Sequence, residues 1–366
     1  MTQTPLLTAT LPAFAGRVRY SVAATLAATL FLAGCAELNT PPEAPPISAV
    51  APAKRPDRAS LDQAQLRRER AEKTKAANAA AQIAVATPAS TNMRGYLTNI
   101  EAALLARGKL RTDDGSSVGP IRAEQLVEDF IQTALRDEYS RQGGKLVQGS
   151  TPAPLRRWEN PVRMQIEYGT SVAPVQRSND QRSVAAFAAQ LQAATGHPVS
   201  LASGTGNFHV LILSEDERRA IGPRLAAMVP GIPPSDISAL TDLAPQNYCT
   251  VFAYSRGNGA TYVQAVALIR SELPAKMRLS CFHEELAQGL GLANDSPTAR
   301  PSIFNDDEEF ALLTKHDELL LRMLYDPRLR PGMTETEARP ILEQIAAELV
   351  AGQPALAANA STPGGV

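Results

Sequence analysis

Residues 162–168 constrain the fold more than any other stretch of the chain. Val162, Met164, Ile166 and Tyr168 alternate with Arg163, Gln165 and Glu167. Side chains two apart share one face of a strand, so this segment is a half-buried strand, apolar inward and polar outward. SNDQRSVAAFAAQLQAATGH follows, a capped helical stretch closed near Gly196. NFHVLILS is then apolar almost throughout, YCTVFAYS and TYVQAVALIRS are two further strands, and LSCFHEELAQGLGL is a helix with a glycine-marked end. A long loop separates NFHVLILS from YCTVFAYS. This order predicts an α+β fold, a mixed β-sheet with helices packed against it.

The flanks are helical. NMRGYLTNIEAALLARGKL predicts a helix, or two short helical pieces, ending near Gly108, after which RTDDGSSVG is a loop. Pro120 precedes IRAEQLVEDFIQTALRDEYS, whose Ile121, Leu126, Phe130, Ile131, Ala134 and Leu135 suit one face of a helix. Residues 308–326 predict another helix, stopped by Pro327, and His316 is expected exposed on it. TETEARPILEQIAAELVAG predicts the last helix, with Thr334 a candidate cap. Residues 352–366, rich in Ala, Pro, Ser and Gly, are expected to be a disordered tail.

The N-terminus speaks to compartment. Arg17 and Arg19 precede SVAATLAATLFLAG, an uncharged run of apolar and small residues ending in LAGC. A basic start, a short apolar run and a small-residue end mark a secretory signal, too short for the roughly 20 residues of a membrane span. LAGC resembles the lipobox of bacterial lipoproteins. That resemblance implies cleavage before Cys35, lipid on Cys35 and attachment to a membrane. Ala36 stands where inner-membrane lipoproteins tend to carry Asp, so the resemblance implies the outer membrane, with the body facing the periplasm. An ordinary signal cut near Ala33, leaving Cys35 a free thiol, is the alternative. A continuous buried helix is opposed by PPEAPP and the Pro/Ala-rich stretch at 36–58, which reads as an extended tether. Residues 59–85, full of helix formers and charges, predict an exposed helix.

With Cys35 lipidated, Cys249 and Cys281 remain. Two cysteines in an oxidising compartment predict one disulfide; two buried thiols are the alternative. The formal net charge of −1, from 36 basic and 37 acidic residues, gives no basic surplus for nucleic acid. G-x-S-x-G, a phosphate-binding loop and a dinucleotide fingerprint do not occur. Cys281 and His283, two apart, match no nucleophile arrangement.

The stretch CFHEELAQGLGLANDSPTARPSIFNDDEEF holds the candidate chemistry. A His-Glu-x-x-His zinc motif starting at His283 fails, because the position four on is Ala287. Starting one residue later, the spacing resembles the long zinc motif of metzincins with its histidines replaced. Glu284, Gln288 and Asn294 then stand at ligand positions, Glu285 at the general base and Gly291 at the helix break. Ser302, Ile303 and Phe304 resemble the turn beneath the metal. Leu313, Thr314, Asp317, Leu324 and Tyr325 resemble the closing helix. An oxygen-rich Glu, Gln, Asn set, with Asp295 adjacent, suits a weakly held divalent cation better than zinc, so tight zinc binding is not expected and no cofactor is assigned. Residues Asn305–Glu309 form a second acidic cluster, read as a solvated helix start. His283 is either a base near Glu284 or a structural residue, and His209, in an apolar strand, is expected in the core.

HEELAQGLGLANDS, with RWENPVRM and YDPRLRPGM, also resembles the DUF2927 family of proteobacterial lipoproteins, over about residues 92–330. That resemblance implies a zincin-like body and lipoprotein export, and it supplies no established activity. The expected organisation is a signal peptide at 1–34, tether and exposed helix at 35–91, zincin-like domain at 92–330, a C-terminal helix at 331–351 and the tail. The expected role is a membrane-anchored periplasmic protein that binds an envelope protein, peptide or cell-wall component without catalysis. Two alternatives stand beside it: an envelope peptide or glycopeptide hydrolase with Glu285 as general base, and a purely structural lipoprotein.

Overall fold

The computed structural model describes Gln65, Arg68, Glu69 and Glu72, and residues 87–352 apart from 143, 144 and 306. The signal sequence, Cys35, the Pro-rich tether and the C-terminal tail lie outside the described residues. Of the helix expected at 59–85, the four described positions are helical and exposed. Among the described residues, no helix is long and apolar enough to cross a membrane.

The body begins with α1 (Pro88–Ala106), four residues before the predicted boundary, because Thr87 caps it by accepting from the Ser90 N–H. Helix α2 (Ala123–Ala134) buries Leu126, Val127, Phe130 and Ile131. It was expected to run on through Ser140, but it stops at Ala134. Residues Arg136–Gln142 form β1, paired antiparallel with β2 (Lys145–Pro152). The apolar helical spacing ends at Leu135, and cross-strand pairing then outweighs the helix propensity of RDEYSRQ. After β3 (Arg157–Trp158) come β4 (Val162–Tyr168), α3 (Pro174–Thr195), β5 (Val199–Leu201) and β6 (Phe208–Leu213). Gly196 closes α3 at φ 69°, as expected of a glycine cap.

The segment expected to be a long loop holds three short helices: α4 (Glu215–Ala220), α5 (Gly222–Met228) and α6 (Pro234–Thr241). Their start signals are local: a Ser214/Glu217 capping box, and prolines in the first turns of α5 and α6. Strands β7 (Cys249–Ser255) and β8 (Thr261–Arg270) lead into α7 (Ala275–Gln288). The chain ends in α8 (Lys315–Leu324) and α9 (Glu335–Ala351), the latter capped by Thr334.

The sheet order is β3-β8-β6-β4-β5, all parallel neighbours, with β7 antiparallel on β8. Parallel strands covered on both faces read as continuous apolar runs, and all six residues of β6 are buried. Phe208, Val210, Ile212, Ala265, Ala267 and Ile269 face the larger core, which also takes apolar residues of α2, α3, α7, α8 and α9. Leu211, Leu213, Val266 and Leu268 face a smaller core under α5 and α6. The fold is thus mixed α+β in three layers.

Two polar joints lock these layers. Arg270 at the end of β8 is buried and pairs with Glu215, which also holds Arg218 at 2.7 Å. Its guanidinium further donates to the carbonyls of Leu243 and Ala244 at 2.8 and 2.9 Å. At the opposite end, Arg157 donates to the carbonyls of Leu324, Asp326 and Leu329, and the Trp158 indole N–H donates to the carbonyl of Gly289 at 2.9 Å.

Helix α8 starts at Lys315, not near Glu308. The Asp317 carboxylate accepts from the Thr314 N–H, the Ile303 N–H and the Ser302 hydroxyl, which fixes both the cap and the preceding loop. His316 corrects the expectation of an exposed side chain. It is 1 % exposed, with Nε2 3.0 Å from Asp129 on α2. The facing Asp129 carboxylate favours the charged imidazole. His209 sits in the core strand as expected, 3.7 Å from Glu167.

Candidate functional site

Helix α7 divides its side chains between the core and a groove. Met277, Cys281, Phe282 and Leu286 are buried in the larger core. Glu284, Glu285 and Gln288 line a groove of about 1170 Å³, whose other walls are β7, the β1–β2 hairpin and the chain after α7. Residues three and four apart share a helix face, which places Glu284 and Gln288 together, as their spacing predicts. Cys281 forms a disulfide with Cys249, Cα atoms 6.0 Å apart, and so ties the helix to strand β7. A crosslink spanning 32 residues contributes roughly 2–4 kcal/mol.

The groove is acidic. Asp137, Glu138, Glu284, Glu285, Asp295 and Glu308 line it, against Arg156 and Arg256. Arg156 is already held by Asp137 at 2.5 Å. Glu285 is 4 % exposed, and its Oε2 has no hydrogen-bond partner. Burial pushes its carboxyl well above the usual carboxylate range, and the neighbouring Asp295 and Glu138 charges push it further. Tyr139 is raised too, first by burial and then by Glu138, Asp295 and Glu285, so its phenol stays protonated. Glu285, Tyr139, Asp295 and Glu138 therefore share one electrostatic neighbourhood, drawn from α7, β1 and the loop after α7.

The turn after Gly291 brings Asp295 back to Gln288, as expected, while the Asn294 amide is held by Gln132. The Gln288 amide N–H donates to Asp295 Oδ1 at 2.9 Å. Asn294 turns its amide to the carbonyls of Gln132 and Asp295 at 2.7 and 2.8 Å, while its backbone N–H donates to Thr133. Amide oxygens are poor zinc ligands, so the Glu284, Gln288 and Asn294 set does not suit a zinc centre. Ser302–Phe304 does not floor the groove either; Ser302 and Phe304 are fully buried and the turn is held by Asp317. Gly291 has φ 132°, and a Cβ there would collide with the carbonyl oxygen of Arg156. The glycine permits the chain to turn close against the β3 entry.

His283 does not join this group. Its ring stacks on Phe187 at 3.9 Å between centroids, and Nδ1 accepts from the Leu313 N–H at 3.0 Å. Burial holds it down at about 4, so it is neutral and structural. The second acidic cluster is also structural: Glu309 pairs with Arg300 and Arg111, and Lys109 with Asp307. Glu138 and Tyr139 were missed in the sequence because β1 was read as helix, and no local motif marks them.

The site and both motif segments fall within one family match. The model of DUF2927, described as a protein of unknown function, matches residues 123–344. The chain belongs to this family. The DUF2927 match runs from the start of α2 into α9, so it contains the whole sheet, the groove and the Arg157 and Trp158 joints. No curated protein and no solved structure matches the chain.

Proposed function

We propose that this protein binds an extended, cationic polypeptide segment in the groove beside β7. The observation behind this reading is the juxtaposition of a sheet-edge strand with an acidic floor. Among the described residues β7 pairs with β8 alone, and every residue of β7 lines the groove. An edge strand offers main-chain donors and acceptors that an extended peptide can pair with, and the acidic residues beneath select lysine or arginine side chains. In the cell the body is anchored to the outer membrane through lipid on Cys35 and faces the periplasm, so the partner is an envelope protein or cell-wall peptide.

Panning a random peptide display library on the purified protein should enrich basic, extended sequences. Outward N–H groups alternate along an edge strand, so proline at one of Val251 or Phe252 removes an outward donor while sparing the β8 ladder. One of those two variants should bind the enriched peptide at least tenfold more weakly, about 1.4 kcal/mol. Unchanged affinity in both would remove edge pairing from the reading. For the anchor, fatty-acid labelling of the full chain should disappear in Cys35→Ser; equal labelling would refute lipidation there.

A hydrolytic reading has one observation in its favour, a buried carboxyl, raised above the usual carboxylate range, beside further carboxylates. Sites that hold neighbouring carboxyls in different environments can run acid and base chemistry together. With the Glu285 carboxyl held well above the usual carboxylate range, the role that fits it is acid rather than base. Cleavage of the enriched peptides by wild type, and not by Glu285→Gln, would place this reading first.

A further inference from the structure

We propose that the Cys249–Cys281 disulfide masks a metal site, and that its reduction creates a site for a zinc-type divalent cation held by Cys249, Glu284 and Glu285. The inference is independent of peptide binding, since it concerns what the groove floor can ligate. One ligand atom from each of these three residues lies within 4.8 Å of the other two. For Zn–S near 2.3 Å and Zn–O near 2.1 Å, tetrahedral ligand atoms sit roughly 3.4–3.6 Å apart. Closing the cluster therefore needs side-chain movements of about 1 Å, within rotamer reach. Sulfur and carboxylate together suit zinc, with a water or partner group in the fourth place.

A second observation is independent of the cluster. Glu285 is almost wholly buried at the groove wall, and its Oε2 lacks a hydrogen-bond partner. An orphaned buried oxygen is destabilising and asks for a donor or a cation. In the oxidised protein the sulfur that would complete the set is bonded to Cys281. Cys281 is 3 % exposed, whereas Cys249 is half-buried and lines the groove. The bond is thus open to attack at Cys249 from the groove side.

The reductant is a dithiol. Its thiolate attacks Cys249 Sγ, the S–S bond breaks, and Cys281 leaves as a thiolate that takes up a proton. The second thiol of the reductant then attacks the mixed disulfide. Cys249 is released as a thiolate and the reductant departs as its own disulfide, two electrons having passed to the protein. The new thiolate lies beside two carboxyl groups, where a divalent cation offsets the gathered negative charge.

Cobalt(II) is the probe, because a thiolate ligand gives it a sulfur-to-metal charge-transfer band. Cys281→Ser leaves Cys249 free without any reductant. That variant should bind one cobalt per chain with the charge-transfer band, at least a hundredfold tighter than the disulfide-bonded wild type. Wild type reduced with a phosphine should behave the same way, which covers the case that Cys281→Ser folds poorly. The band should vanish in the Cys249→Ser/Cys281→Ser double variant. In the Cys281→Ser background, Glu285→Gln should weaken binding at least tenfold while far-ultraviolet circular dichroism stays unchanged. Equal cobalt affinity in the oxidised and reduced proteins would overturn the proposal. A band indifferent to Glu285→Gln would overturn the assigned ligand set.

Discussion

Replacing His316 with alanine should destabilise the protein by about 3–5 kcal/mol, because it leaves the Asp129 carboxylate buried without its counter-charge. His316 is 1 % and Asp129 3 % exposed, so solvent screens neither. Burial alone would lower the imidazole, but the Asp129 and Asp317 carboxylates outweigh it and hold His316 at about 9. The direction of the pH effect follows. A group raised in the folded state stabilises fully below its unfolded value near 6.5, and that contribution is lost as pH rises through about 9. The shift corresponds to about 3 kcal/mol. Wild-type urea midpoints should therefore fall between pH 7 and pH 9.5, and the His316→Ala midpoints should lack this component. Parallel pH profiles for the two proteins would show that the ion pair does not hold α8 on α2.

Glu285→Gln should raise stability at neutral and alkaline pH, against the usual expectation for a core substitution. The carboxyl is buried and held well above the carboxylate range by that burial and by Asp295 and Glu138. In the unfolded chain it releases its proton near 4.5, while the folded protein retains it. Its contribution is thus complete below about pH 4.5 and is lost as pH climbs toward the raised value. Glutamine keeps the shape and a donor but cannot ionise. The stability difference in favour of the variant should widen by about 1.4 kcal/mol per pH unit above pH 4.5, for as long as the folded carboxyl stays protonated. Chemical denaturation of both proteins from pH 4.5 to 8 measures it. A constant difference across that range would mean that Glu285 is ionised in the folded state.

These two residues also show what was legible in the chain and what was not. The strand at Val162–Tyr168, the helix closing at Gly196 and the apolar β6 were readable because periodicity and capping act within one segment. The Cys249–Cys281 pairing was readable from cysteine arithmetic and the expected oxidising compartment. His316 was misread because Lys315, Asp317 and Glu318 surround it with charge in sequence, whereas its burial is decided by Asp129, far away on α2. Residues Arg136–Gln142 were misread for a related reason: they contain helix formers, and only pairing with Lys145–Pro152 makes them a strand. Glu285 was a legible candidate, but the upward push on its carboxyl was not, since it depends on burial in the folded protein and on Asp295 and Glu138 arriving from other elements. Asn294 kept the expected spacing and lost the expected role once the Gln132 carbonyl captured its amide.

The Arg157 joint has a consequence for the order in which this molecule can be made. Its guanidinium finds its carbonyl acceptors at Leu324, Asp326 and Leu329, the last of them 172 residues downstream. Trp158 likewise waits for Gly289, and β3 for its partner strand at Thr261 and Tyr262. At a synthesis rate of ~5–20 residues per second, roughly 10–30 s separate the emergence of Arg157 from that of Leu329. Until its acceptors are present, the Arg157 guanidinium has no carbonyl cluster to occupy. Such long-range closure makes folding slow and leaves apolar surface open to other chains. The body therefore cannot close before the segment through Leu329 is available to it.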